Sequence, residues 1–295
     1  MDEKELKGFT KKRSKLIVSL MSLMEKQVKE NQKKTLERII EKFVDKLDKD
    51  EDGNVKNNAH NRKLLNAIDE VFKDYQKKEA RTTIELLLNS VSSIMQFNQE
   101  YFVALDGKAR VLPMMPKVKD FMKTWLGIKG DTVEPNGYID KLISNDPAKI
   151  ALKNTAMKIV IGQEGFEDAK KQIQTLVEGN PKTMGAFEKH QKNFAFDLYS
   201  QIDRATSDVV RNDLGFEFAV YEGGIIESSR IFCEEHDGKI FHITEIKKFN
   251  PKEAKPPNYN PITDLGGYGC RHHLNWISVS LAKAMGKNVN DFIKK

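Results

Sequence analysis

Residues 216–224 read FEFAVYEGG. Phe216, Phe218 and Val220 alternate with Glu217, Ala219 and Tyr221, the two-residue period of a strand, and Gly223-Gly224 turns it. Everything before Gly215 keeps another period. Leu16, Ile17, Leu20, Met21, Met24 and Val28 recur at helical spacing, and Leu36, Ile39, Ile40, Phe43 and Leu47 resume the stripe as one long helix or two. A second helical stretch covers about 61–104. Residues 183–213 read as an amphipathic helix that stops before Gly215. The change of period at Gly215 makes the chain α+β, with a long helical N-terminal region followed by a small mixed β-rich C-terminal module.

Punctuation refines this division. Pro113 and Pro116 in the stretch DGKARVLPMMPK argue for a loop and an internal boundary near 106–116. Asp146-Pro147 starts a helix, Asp as cap and Pro in the first turn. Gly162, Gly165 and Gly179 separate the segments between. The expected organisation is a helical assembly region over 1–185 and a second module over 186–295. Residues 48–60, DKDEDGNVKNNAH, resemble half of a calcium loop, with Asp48, Asp50, Asp52 and Gly53. The bidentate carboxylate needed at position twelve is replaced by Ala59, so the stretch reads as a solvated turn.

Composition removes several classes. The chain has 295 residues, 39% hydrophobic and 31% charged, enough apolar material for a core. Its mean hydropathy is −0.56, and no apolar run approaches the ~20 residues of a membrane span. The opening MDEKELKGFTKKRSK is charged, unlike a secretory signal. Lys and Arg number 49 against 43 Asp and Glu, a net charge of +6. Both signs are interspersed, so the expectation is weak, nonspecific association with double-stranded DNA rather than sequence reading.

Cysteine and histidine are concentrated. Both cysteines and four of the six histidines lie between residues 233 and 273. Cys233-Glu234-Glu235-His236 is a C-x2-H pair, and Cys270-Arg271-His272 a C-x-H pair with His273 adjacent. Two thiolates and two imidazoles are the donor set of a closed structural zinc site. Gly266, Gly267 and Gly269 supply the backbone freedom that the second pair needs. On this basis Cys233, His236, Cys270 and His272 are candidate ligands, with His273 the neighbour that competes with His272. Reduced thiols that only pack, and one disulfide, stay open beside zinc. His242, between Phe241 and Ile243, reads as strand surface.

The segments SRIFCEEHDGKIFHITEI and DLGGYGCRHHLNWIS resemble the C-terminal module of phage minor head proteins, the head-morphogenesis family related to protein F of phage Mu. That module pairs an Arg-x-x-Cys-x-x-Cys/His segment and a Gly-Lys-x-Phe segment with a later Gly-Gly-Tyr-x-Cys-Arg-His/Cys segment. The matching positions are Arg230, Cys233 and His236; Gly238, Lys239 and Phe241; and Gly266, Gly267, Tyr268, Cys270, Arg271 and His272. The helix LYSQIDRATSDVVRNDLG and the strand ending in Tyr221-Glu222-Gly223-Gly224 also fall where the family has them. The likeness covers about residues 190–280. Many relatives have Cys where this chain has His236 and His272, and either residue type can ligate zinc.

The resemblance implies a structural virion protein without catalytic residues, inside the head near the portal, present in the host cytoplasm during assembly. Its partners would be the portal protein and other head proteins, with no membrane, and its role head assembly and genome packaging or delivery. Two rivals stand beside it. A nuclease of the His-Asn-His type would use His236, His272, His273 and Asn275, although that class needs a metal-binding His on a following helix. A generic helical scaffold or adaptor would act through the N-terminal helices alone. Zinc deamination is excluded by the missing H-x-E and P-C-x-x-C motifs.

Overall fold

Helical period governs the first two hundred residues of the computed structural model, which describes residues 1–129, 132–144, 146–180 and 182–292. The first helix, α1 (Glu3–Lys42), is a single helix of 40 residues. A reciprocal cap starts it: the Asp2 carboxylate accepts from the Glu5 amide at 2.8 Å, and the Glu5 carboxylate accepts from the Asp2 amide at 2.8 Å. The turn over 48–58 leads into α2 (Ala59–Asp106), 48 residues long.

The stretch expected to be a loop at 106–116 is helical apart from the break at Gly107, where φ is 87°. A short α3 (Lys108–Val111), a 3-10 turn and α4 (Met115–Leu126) follow one another. Each proline opens a new turn, where its missing N–H costs nothing, so the prolines mark helix starts rather than a loop. After a short hairpin, β1 (Ile128–Lys129) with β2 (Thr132–Val133), come α5 (Tyr138–Ser144), α6 (Asp146–Gly162) and α7 (Phe166–Glu178). The start at Asp146 and the breaks at Gly162, Gly165 and Gly179 fall where the sequence puts them. A second hairpin, β3 (Gly179–Asn180) with β4 (Thr183–Met184), precedes α8 (Ala186–Leu214). That helix ends as expected. Phe216 N–H donates to Arg211 O and Gly215 N–H to Asn212 O, with Gly215 at φ 77°, the paired bonds of a Schellman stop.

The C-terminal part contains a three-stranded antiparallel sheet in the order β6-β5-β7: β5 (Phe218–Glu222) lies between β6 (Ile240–His242) and β7 (His273–Ile277). Three short helices accompany it: α9 (Ile231–His236), α10 (Ile243–Ile246) and α11 (Val279–Ala284). The alternation read in β5 does not separate an inner from an outer face. Residues 218–221 are all buried, because the strand is central and both its faces are covered. His242 is likewise not on the surface. It is 5% exposed, caps α10 through its ring nitrogen, and packs on Phe218 and Phe292.

Two compact units result, and neither is one stretch of chain. Residues 21–88 and 126–195 form a helical unit whose core includes Ile39, Phe43, Ile68, Tyr75, Leu152, Ile159 and Ile173. Residues 1–20, 89–125 and 196–295 form the unit that contains the sheet, with Leu6, Tyr101, Phe102, Val210, Phe218, Tyr221 and Trp276 in its core. A division at 185/186 does not describe this arrangement, since α1, α2 and α8 each contribute residues to both units.

Within the sheet-containing unit, a buried polar network replaces part of the apolar stripe. Arg13 and Asp203 form an ion pair at 3.3 Å, each about 1% exposed. Asn98 donates to Asp203 at 2.9 Å, and His273 Nδ1 lies 2.8 Å from Asp203 Oδ2. Arg13 also donates to Asn275 Oδ1, and the Asn275 side-chain NH2 donates to Thr10 and Glu222. Burial alone would raise the Asp203 carboxyl, but Arg13 and His273 hold it below the usual range.

Candidate metal centre

Three of the four predicted ligands meet. Among the described residues, Cys233, Cys270 and His272 are the group of Cys, His, Asp or Glu placed to hold a metal ion, with their ligand atoms within 4.8 Å of one another. All three are buried. The two sulfurs are 3.9 Å apart and both thiols are free, so no disulfide joins them. His272 Nδ1 lies 3.9 Å from Cys270 Sγ. Asp48, Asp50 and Asp52 form no such group. Asp50 accepts from the Asn54 backbone at 2.7 Å and Asp48 from the Asn58 amide at 2.9 Å, so the loop is a self-bonded turn.

Each ligand is placed by a separate element. Cys233 sits on α9, which the sequence suggests only as a knuckle, and the extended Arg230 opens that helix. Cys270 lies in the glycine-rich turn, where its N–H donates to Gly267 O at 3.1 Å. Gly266 is required by close approach, since a Cβ there would lie 2.5 Å from Cys233 Sγ and 3.1 Å from Cys270 Sγ. His272 stands just before β7. Strand alternation sends His272 and His273 to opposite sides, His272 to the thiols and His273 to Asp203.

His236 does not join the group. Its Nδ1–H donates to Phe232 O at 2.6 Å, and its ring is stacked between Phe232 and Phe241 with centroids 4.1 and 5.1 Å away. One turn of helix separates it from Cys233, but its ring is turned into this aromatic cluster.

The remaining motif residues are the frame. Arg230 donates to Gly266 O at 3.0 Å and also to Tyr268 O. Gly238, at φ 74°, donates its N–H to Tyr221 O, and Lys239 O accepts from Tyr221 N–H. Phe241 stacks on His236 and packs edge-on against Phe249. Gly267, at φ 88°, passes so close to Ala254 O that a Cβ would lie 2.3 Å from it. The Tyr268 and Arg271 side chains are exposed.

Sequence reading missed three residues that shape the site. Arg204 of α8 donates to the carbonyls of His272, Thr263 and Cys270 at 2.9, 2.6 and 2.5 Å. Asp237 accepts from the amides of Gly223 and Gly224 and lies 3.1 Å from His272 Nε2. That places a carboxylate beside Nε2, close but not aligned for a hydrogen bond, and leaves Nδ1 facing the thiols; a carboxylate there is a common outer neighbour of a metal-ligating histidine. Tyr221, fully buried, stacks on His272 with centroids 4.7 Å apart. Only the place of Arg204 in the family-like helix, and of Tyr221 in the strand, hints at them in the sequence.

The electrostatics suit a cation. Cys270 is held well below the usual thiol range, first by the hydrogen bond from Cys233 and, against burial, by His272 and Arg204. Cys233 is pushed up by that same bond and by burial. Two thiols, one of them acidified, beside an imidazole are a donor set that a soft or borderline divalent ion completes.

Comparison with protein-family models, with curated proteins and with solved structures gives no match for this chain.

Proposed function

We propose that this chain is a structural minor head protein of a tailed phage, placed by the portal, acting in head assembly and in packaging or delivery of the genome. One observation supports the reading: the residues that carry the resemblance are one another's partners in space. Arg230 clamps the turn at Gly266 and Tyr268, Gly266 admits both sulfurs, and Gly238 and Lys239 pair with the strand that carries Tyr221. Residues that hold each other in this way form a folding element. A hydrolytic site instead leaves its groups facing a cleft. The nuclease alternative needs His236, His272, His273 and Asn275 to converge. Here they face an aromatic stack, the thiols, Asp203 and Arg13 respectively.

In this reading the ion is zinc, one per chain, held by Cys233, Cys270 and His272, and its binding energy contributes to folding. The helical unit and the exposed faces of the long helices contact the portal and other head proteins. Duplex DNA is a weak, salt-sensitive partner of the net +6 chain. No helix among the described residues is long and apolar enough to cross a membrane. The test is mass spectrometry of purified, cross-linked heads. The expected result is low-copy presence with cross-links to the portal; detection only in infected-cell cytosol, never in heads, refutes the proposal.

A further inference from the structure

Three ligands leave a tetrahedral ion one corner short, and the side chain whose oxygen lies against both sulfurs is Tyr221. Its Oη lies 3.5 Å from Cys233 Sγ and 3.7 Å from Cys270 Sγ. As a hydroxyl it can donate to one sulfur and accept from the other, and it sits almost evenly between the two. Bond lengths of about 2.3 Å to sulfur and about 2.0 Å to oxygen give a tetrahedral ion edges of about 3.8 Å between sulfurs and about 3.5 Å between sulfur and oxygen. The edges in this chain are 3.9 Å and 3.5 and 3.7 Å.

The surroundings point the same way. Tyr221 is wholly buried at the end of a central strand, its ring fixed against His272 and Phe249. Among the described residues its hydroxyl meets the two sulfurs and no oxygen or nitrogen partner. His236, the fourth ligand that the sequence suggests, has one ring nitrogen committed to Phe232 O.

We infer that Tyr221 Oη closes the site, so that the metal is held by Cys233, Cys270, His272 and the Tyr221 phenolate. This rests on the reading that the first three residues hold an ion. Binding a divalent ion then releases the proton that Cys233 keeps and the phenol proton to solvent, leaving a centre of net charge −1. Arg204 and Arg230, which hold the backbone of Cys270 and Gly266, supply positive charge beside it.

The experiment titrates Co2+ and Zn2+ into the reduced, metal-free full chain and into Tyr221→Phe, His236→Ala and Cys270→Ala. The wild type is expected to bind one Co2+ with thiolate charge-transfer bands and an intense four-coordinate spectrum that azide does not change. Tyr221→Phe keeps the ring and the thiolate bands, but its spectrum shifts with azide. It also binds Zn2+ at least about tenfold more weakly, the lower edge of what loss of even an outer partner costs a metal site. At equal pH it releases one proton fewer per ion than the wild type. His236→Ala behaves as wild type. Tyr221→Phe matching the wild type in affinity, azide response and proton count overturns the inference, as does an azide-sensitive His236→Ala beside an insensitive Tyr221→Phe. A wild-type chain that binds neither metal overturns the three-ligand reading itself, a separate failure that Cys270→Ala calibrates.

Discussion

Replacing Gly266 by alanine adds one methyl group at the point where the two thiols meet. The new Cβ would stand 2.5 Å from Cys233 Sγ, 3.1 Å from Cys270 Sγ and 3.5 Å from Tyr221 Oη. Heavy atoms in contact prefer about 3.5–4.0 Å, so Cys233 must retreat by about 1 Å and Cys270 by about 0.4 Å. Neither has room. Cys233 is fixed on α9, and Cys270 hangs from carbonyls that Arg204 holds. Overpacking of this kind costs about 1–3 kcal/mol, or about 5- to 150-fold in an equilibrium constant at 1.4 kcal/mol per decade. The loss should appear in zinc affinity and in stability together. The assays are zinc competition with a chromophoric chelator and urea unfolding followed by tryptophan fluorescence. Gly238→Ala is the matched control. It is a motif glycine at φ 74° with open space at its Cβ, so it carries backbone strain of about 1–2 kcal/mol and leaves zinc affinity unchanged. Equal zinc affinity in Gly266→Ala and Gly238→Ala would refute the reasoning.

Cys270→Ala should abolish stoichiometric zinc and raise hydrogen exchange over 225–280 while the unit formed by 21–88 and 126–195 stays protected; a metal-loaded variant by elemental analysis contradicts this. Arg204→Met removes three buried bonds to the ligand turn, and should weaken zinc binding about 10–100-fold, as loss of outer-shell support does; unchanged affinity in the chelator assay counts against it. Asp203 has a lowered folded pKa, so its contribution to stability is present above the unfolded value near 3.9 and is lost as pH falls below it. Asp203→Asn should therefore cost about 3–5 kcal/mol at neutral pH, by stranding buried Arg13, and flatten the decline below about pH 4; urea midpoints across pH 2–7 decide.

Legibility of the fold followed the chemistry of the buried faces. The stripe from Leu16 to Val28 announced α1, yet the helix begins thirteen residues earlier, at Glu3. Its buried face continues back through Ile17, Arg13, Thr10 and Leu6, at spacings of four, three and four. Two of those positions are polar because they serve the Asp203 network, and a hydrophobicity pattern does not count them. The prolines at 113 and 116 misled for a related reason: Pro forbids a helix interior but suits a first turn. Clustering of Cys and His disclosed the site, and the pairing of Cys233 with Cys270 and His272 followed from composition. Spacing, residue type and the family-like segment all put His236 among the ligands, whereas its ring orientation depends on Phe232, Phe241 and Phe249, which sequence spacing does not locate. Arg204 acts through carbonyls, and carbonyls leave no trace in a sequence.

The discontinuous make-up of the sheet-containing unit sets the order in which the chain can be finished. Arg13 and its partner Asn275 are 262 residues apart. At a synthesis rate of about 5–20 residues per second, the first helix waits about 13–52 s for that partner to leave the ribosome. Through that interval only the second helix, whose Phe97, Asn98 and Tyr101 touch Phe9 and Arg13, is at hand to cover its inner face. An uninterrupted apolar stripe would be a sticky surface for so long, whereas Thr10 and Arg13 keep the waiting segment wettable until Asp203 and Asn275 arrive. The buried ion pair is thus also what keeps the oldest helix wettable while its last partners are still being made.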